Sequence, residues 1–178
     1  MLIKILAVLA VLLVVFIVVV AMRPAEFKVE RRTVIAASPE TVFAQVNDLR
    51  TWQEFSPWAK LDPNAKATFA GPTAGVGSSF AWAGDKRVGE GSMTIIESRP
   101  GERVRFRLEF LKPFKATNEA LFTFTPEASG TAVSWSMTGK NNFFFKAFSL
   151  FVDCDKMIGS DFEKGLVNLK ALAEARKT

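Results

Sequence analysis

A chain of 178 residues with 49% hydrophobic and 23% charged residues has the composition of one folded domain with an appendage, which excludes a largely disordered protein. It contains no His and no Tyr, so the commonest general base and zinc ligand are missing, and its one cysteine cannot form an intramolecular disulfide. The formal charge of +5 is spread along the chain instead of forming a basic run, which argues against nucleic-acid binding.

The first segment of the chain predicts a membrane anchor. Every residue from Ile5 to Met22 is uncharged and nearly all are apolar, and a helix of this length crosses the hydrocarbon core of a bilayer. A core helix would carry polar residues on one face, and a cleaved signal peptide, which remains the alternative, usually has a shorter apolar region. We therefore expect a single-pass anchor over residues 1–23. The basic residues after it outnumber those before it, which favours a cytoplasmic location for residues 24–178.

The next elements are a strand and two short helices. Alternating apolar residues predict a strand from Phe27 to Ala36. Ser38 has the position of an N-cap, and Pro39 suits the first turn of the helix that follows. This helix is expected to stop near Asn47. A second helical piece holds Trp52, Phe55 and Trp58.

Six strands follow, because the spacing of the apolar residues changes to two. From residue 103 to residue 110, apolar side chains alternate with Arg and Glu, which is typical of a strand with one wet face. Gly89 and Gly91 indicate a bulge or a close approach in an earlier strand. Turn residues such as Pro100-Gly101 and Ser129-Gly130 separate the strands, so we expect an antiparallel meander.

The C-terminal part of the chain predicts one long helix. Apolar side chains from Phe144 to Leu172 recur at steps of three and four residues, as on one helix face. Asp155 interrupts this stripe, and Gly159 and Gly165 each cost a helix about 1 kcal/mol relative to Ala, so a packing reason is expected for both. The predicted fold class is α+β: a curved antiparallel sheet wraps around the long C-terminal helix, preceded by one transmembrane helix.

The order of elements and several local segments resemble the START/SRPBCC superfamily, which has the helix-grip fold, in its branch of polyketide cyclase/dehydrase and lipid-transport proteins. The segments are, in order, "SPETVFAQVNDLRTWQEFSPW", "GVGSSFAW", "VGEGSMTIIES", "FLKPFKATNEALFTFTP", "GTAVSWSMTG" and "DKMIGSDFEKGLVNLK". The resemblance runs from about Phe27 to Leu172 and implies a helix-grip domain over residues 24–178. It also implies a ligand held between the sheet and the C-terminal helix, but no particular ligand or reaction, since one fold hosts many functions.

Inward-facing residues of the strands, placed in that geometry, form the candidate ligand-binding site. Ser78 and Asn118 interrupt an otherwise apolar wall, as polar groups do in small-molecule pockets, whereas a solid core is the plain alternative. Asp155 lies on the apolar helix stripe, so we expect it to be buried, and therefore paired, bound to a ligand group or placed at the cavity mouth. The predicted ligand-binding residues are Ser78, Phe80, Trp82, Met93, Phe106, Phe110, Asn118, Phe122, Trp135 and Asp155, with Phe124 and Met137 of the same parity.

The favoured function is a membrane-anchored binding or carrier domain for an apolar small molecule such as a lipid, an isoprenoid or a polyketide-like compound. One alternative is a cyclase or dehydratase that acts on such a ligand through Asp155 or another acid. The lack of His and Tyr, and of any nucleophile, phosphate-loop, metal or nucleotide motif, argues against it and predicts no catalytic residue, metal or cofactor. The other alternative, a protein-interaction module with a closed cavity, conflicts with the polar outward faces of the strands.

Overall fold

The computed structural model describes residues 1–176, in which one apolar helix precedes a seven-stranded sheet with helices against one face. The sheet is antiparallel, with strand order β1-β7-β6-β5-β4-β3-β2, so that the first strand pairs with the last. The elements are α1 (Leu2–Met22), β1 (Glu26–Ile35), α2 (Pro39–Asn47), α3 (Leu49–Phe55), β2 (Lys66–Ala70), β3 (Ser79–Ala83), β4 (Glu90–Arg99), β5 (Arg103–Lys112), β6 (Ala116–Glu127), β7 (Gly130–Lys140), α4 (Phe143–Phe148) and α5 (Cys154–Ala175).

The predicted α+β helix-grip architecture is confirmed, because a curved antiparallel sheet holds a long C-terminal helix against one face. Polar contacts tie α5 to β1: Lys170 Nζ donates to the Val34 carbonyl at 2.8 Å, and the Ala36 N–H donates to Glu174 Oε1 at 2.9 Å. The prediction of six strands after β1 has the right number, but β2 is an edge strand with mostly exposed side chains, so the alternation of apolar residues does not give its position.

α1 has the length and composition of a membrane-spanning helix. Its 21 residues extend about 30 Å at the α-helical rise, which matches the hydrocarbon core of a bilayer. The most apolar 18-residue window of α1 has a mean hydropathy of 3.5, and 6% of that window is buried inside the protein. Val20, near its C-terminal end, is fully buried, and α1 contacts α4. Among residues 1–176, no other helix meets the length and hydropathy of a membrane span.

The junction between β1 and α2 forms as the sequence predicts. Ser38 Oγ accepts the Thr41 N–H at 3.2 Å, and Pro39 occupies the first turn. α2 ends at Asn47, and Asp48 then caps α3 by accepting the Arg50 N–H at 2.8 Å. These two caps turn the chain sharply, which brings α3 over the sheet.

The C-terminal helix is not continuous, so the prediction of one helix starting near Phe144 is wrong in its first part. α4 ends at Phe148, and α5 starts only at Cys154, where Asp153 Oδ1 accepts the Lys156 N–H at 3.0 Å and caps the new helix. The apolar stripe of α5 itself is buried, as expected. The phenylalanines of α4 fit the helical spacing but lie on a separate, exposed helix.

Candidate ligand-binding face of the sheet

The candidate site lies on the sheet face that packs against the helices, which we call the inner face. Strand register places the predicted residues in rows across it: Phe80 lies opposite Met93, and Phe122 opposite Trp135. Their inward parity follows from the period of two that separates this face from the wet outer face. The predicted residues that are buried on this face are Phe80, Met93, Phe106, Asn118, Phe122, Phe124, Trp135 and Met137.

One half of the inner face, which we call the closed half, is a solid aromatic core. The Trp135 ring stacks on Phe162 of α5 at a centroid distance of 4.2 Å and on Phe122 at 4.8 Å. Trp52 of α3 fills the space beside them, with its ring 5.5 Å from that of Phe106 and 5.4 Å from that of Trp135. Three of the predicted ligand-binding residues, Phe106, Phe122 and Trp135, therefore pack against aromatic rings of the protein itself.

Sequence reasoning missed Trp52, Phe55 and Trp58 as part of this face. It assigned all three to a short helical piece, but an aromatic helix pattern does not say which strands the helix covers. The Trp58 ring meets that of Trp135 edge-on at 5.9 Å and that of Phe162 at 6.3 Å. α3 and the turn after it thus close half of the site from above.

The Trp135 indole contains a polar group without a partner. Its Nε1 is buried and has no hydrogen-bond acceptor among the described residues. Leaving a buried donor unsatisfied costs about 1–3 kcal/mol, so such groups are uncommon in folded proteins. An acceptor atom placed beside this nitrogen would remove that cost.

The other half of the inner face, which we call the open half, lies towards the strand ends that the turn between β5 and β6 joins. Trp82 and Phe110 are only half-buried there, with ring centroids 5.9 Å apart. Trp82 lies across Gly91, where an added Cβ would come within 2.6 Å of the indole Cζ2. This explains the predicted close approach at that glycine. Trp82 Nε1 donates to the Val88 carbonyl at 3.1 Å, so its polar atom is satisfied.

Asn118 is the polar residue of the open half. It is buried in β6 opposite Leu108 and Gly139, which are on the same face. Among the described residues, the Met137 Sδ, at 3.9 Å, is the hydrogen-bond partner of its side-chain Nδ2. A thioether is a weak acceptor, so the protein holds this amide nitrogen only weakly.

Ser78, the second predicted polar residue, is buried but lies at the other end of β3, just before the strand begins. Its backbone accepts the Ile95 N–H at 3.0 Å and donates to the Gly75 carbonyl at 3.1 Å. The strand order separates it from Asn118 by β4 and β5. The structure therefore does not bring the two predicted polar residues together.

Asp155 is not buried, so that expectation is wrong, although its pairing is confirmed. It lies in the first turn of α5, where the helix start is exposed, and the Arg31 Nη2 donates to its Oδ2 at 2.9 Å. The same guanidinium donates through Nε to Glu163 Oε1 at 2.8 Å. The hydrogen bond from Arg31 lowers the pKa of the Asp155 carboxyl below its usual value, because the cation favours the charged form. Asp155 thus joins α5 to the edge strand β1.

Two surface concavities lie away from the predicted site. A groove of about 460 Å³ lies between α3 and α5, with Glu54, Lys60 and Asn168 in its lining, and another follows the first turns of α1. None of the predicted ligand-binding residues lines either concavity. A ligand at the open half would need the half-buried rings of Trp82 and Phe110 to move aside.

Solved structures similar to this chain share its fold. Protein CV1439 from Chromobacterium violaceum has a TM-score of 0.58 and 19% identity, covering 85% of this chain and 99% of that one. The Aha1 dimer from Colwellia psychrerythraea has a TM-score of 0.59 and 16% identity, covering 83% and 96%. The di-domain ARO/CYC StfQ from the steffimycin biosynthetic pathway has a TM-score of 0.61 and 14% identity, covering 85% of this chain and 52% of that one.

At these identities the likeness shows the fold alone. Among curated proteins, no sequence matches the chain. The family model described as "Polyketide cyclase / dehydrase and lipid transport" matches residues 26–174. Because this match spans well over half of the chain, the protein belongs to the polyketide cyclase/dehydrase and lipid transport family.

Proposed function

We propose that the protein is a membrane-anchored binding or carrier domain for an apolar small molecule with one oxygen-containing group, such as a lipid, an isoprenoid or a polyketide-like compound. The observation that carries the proposal is Asn118, a buried amide with only a sulfur partner in an aromatic face. A few placed polar groups in an apolar wall are typical of small-molecule sites. The family description, which includes lipid transport, supports the same ligand class.

The ligand is proposed to occupy the open half of the inner face. Trp82 and Phe110 are half-buried there, so moving them aside exposes less apolar surface than opening the closed half would. The closed half would then serve as the rigid wall against which the ligand packs. A ligand oxygen would accept from Asn118 Nδ2.

The anchor is proposed to be residues 1–23, with residues 24–178 as the ligand-binding domain. Support comes from the length and hydropathy of α1, whose side chains are exposed except for that of Val20. A helix this apolar would be strongly unfavourable in water, whereas lipid covers it without further protein. The excess of basic residues after α1 supports a cytoplasmic location of the domain.

The test uses the full chain in phosphatidylcholine nanodiscs, with palmitate and farnesol as probes. Binding should change the emission of the tryptophans and raise Tm, since a ligand at 100 times its Kd adds about 2.7 kcal/mol to stability. Asn118→Leu should keep the fold and weaken binding about two- to tenfold, the value of one neutral hydrogen bond. Native mass spectrometry of the gently extracted protein would identify a co-purifying molecule.

The matched control is Ser136→Ala. Ser136 is also buried, but its side chain is on the outer face and donates to the Leu121 carbonyl at 3.5 Å. This variant should bind both probes like the unaltered protein. The proposal fails if neither probe changes emission or Tm, or if the Asn118 and Ser136 variants bind equally well.

A further inference from the structure

An exposed patch of phenylalanines lies outside the candidate site. Phe144 of α4 is 60% exposed and Phe151, in the linker to α5, is 80% exposed. Isolated exposed apolar residues are ordinary, but a contiguous aromatic patch on a folded domain marks an interaction surface. The phenylalanine patch consists of Phe114, Phe143, Phe144, Phe148 and Phe151.

Two separate chain segments build this patch. The ring of Phe114, in the turn between β5 and β6, lies 5.6 Å from that of Phe144 and 5.5 Å from that of Phe145. The turn therefore packs on α4, and the exposed rings of Phe114 and Phe144 lie side by side. Phe143, Phe148 and Phe151 add further exposed rings along α4 and the linker that follows it. These rings do not belong to the buried core, and the element that α4 contacts is α1.

The patch lies at the level where α1 ends. Lys146 of α4 donates through Nζ to the carbonyl of Ala21 at 3.4 Å, and Val20 is fully buried although the rest of α1 is exposed. α1 ends at Met22, and β1 starts at Glu26. If α1 spans a bilayer, α4 is held beside its last turn, at the depth of the headgroups.

The charges around the patch suit a lipid surface. Arg23 directly follows α1, Lys146 lies within α4, and Lys112 and Lys115 flank the turn that contains Phe114. Lys112 pairs with Glu90 at 2.7 Å, whereas Lys115 has no ion pair among residues 1–176. Aromatic rings with basic neighbours are typical of protein segments that lie in the headgroup layer and contact anionic lipids.

We propose that the phenylalanine patch inserts into the headgroup region of the bilayer that α1 spans and holds the domain in one orientation on it. This inference rests on the proposed anchoring by α1. In that orientation the open half faces the lipid, because Phe110 and Gly139 lie at the ends of β5 and β7 nearest the patch. An apolar ligand could then pass between bilayer and inner face without crossing water.

The test measures insertion in the full chain with Cys154→Ser as background. An environment-sensitive fluorophore is attached at Phe144→Cys, and a second preparation carries it at Phe151→Cys in case the first substitution disturbs α4. The matched control carries it at Glu102→Cys, in the exposed turn at the opposite end of β5. The proteins are reconstituted into phosphatidylcholine vesicles that contain phosphatidylglycerol and a lipid with a spin label in its upper acyl chain.

Insertion predicts a blue shift and loss of emission through quenching at residues 144 and 151, and neither at residue 102. If the chain floats with the vesicles but the patch labels behave like the control, the patch is not inserted and anchoring still stands. If the chain does not float, anchoring fails and this inference fails with it. The emission could instead shift to the blue without quenching, and the shift could disappear when the protein is diluted with more lipid. That result means that a second copy of the chain covers the patch, and it overturns the proposal.

Discussion

Gly165 of α5 tests whether the closed half is packed as tightly as its ring distances imply. A methyl group at this position would lie 2.5 Å from the Trp135 Cζ3 and 3.3 Å from the Pro57 Cδ. Carbon atoms in contact are normally about 3.5–4.0 Å apart, so the overlap with the indole is about 1 Å. Trp135 has little room to retreat, because its ring stacks between Phe162 and Phe122.

The expected effect of Gly165→Ala is a net loss of stability. Overpacking a dense core costs about 1–3 kcal/mol, and an overlap with a stacked ring belongs in the upper part of that range. Alanine returns about 1 kcal/mol through its higher helix propensity. The free energy of unfolding should therefore fall by about 1–2 kcal/mol, which lowers Tm by about 2–8 °C for a domain of this size.

The assay is thermal and urea unfolding of the full chain in detergent micelles, followed by near-ultraviolet circular dichroism of the tryptophans. Gly159→Ala is the matched control on the same helix. Its added methyl would meet the Arg31 Nη2 at 1.9 Å, but that atom is the far end of a flexible, partly exposed side chain. Arg31 can swing into water, so the gain in helix propensity should roughly offset the weakened ion pairs.

The two variants should therefore separate clearly in Tm, with Gly165→Ala the lower. A Gly165→Ala protein as stable as the original, or more stable, would refute the close packing of α5 on Trp135. It would also mean that the closed half has room for a ligand, which would move the proposed binding position towards Trp135 Nε1.

Two further predictions concern the ends of helices. Asp155→Asn should lower the free energy of unfolding slightly at neutral pH and not at low pH. Arg31 depresses the pKa of Asp155 in the folded protein below its ordinary value. The stabilisation by Asp155 is therefore present above about pH 4 and is lost as the pH falls through the lowered pKa. Unfolding curves of both proteins across acidic pH would check this, and a constant difference would contradict it. Ser38→Ala should cost about 1 kcal/mol, the value of an N-cap, in the same unfolding assay, and Ser38→Gly much less.

The sheet and its inner face could be predicted because burial forces a period of two. Met93 lies between Ser92 and Thr94, and Phe106 lies between two arginines in the neighbouring strand, so both strand and face follow from the sequence. β2 escaped this reasoning, because an edge strand with exposed side chains has no buried parity to display.

The break between α4 and α5 could not be predicted from periodicity. The phenylalanines at 144, 148 and 151 continue the helical spacing of Ile158 and Phe162, and spacing does not distinguish a face covered by protein from one that is exposed. The decisive feature is the local cap at Asp153, which competes with helix continuation. The same cap places Asp155 in the exposed first turn of α5. The expectation that Asp155 is buried was wrong because it rested on the helical spacing alone.

The short connection between α1 and β1 limits where the domain can work. Arg23, Pro24 and Ala25 extend at most about 10 Å, and strands of this length make the domain about 40 Å tall. With α1 in a bilayer, the domain diffuses in two dimensions and meets only molecules in that membrane or at its surface. Delivery of a ligand to a second membrane would require that membrane to approach within about the height of the domain. Such a protein would therefore act at membrane contact sites or within one leaflet, and would not carry its ligand through solution.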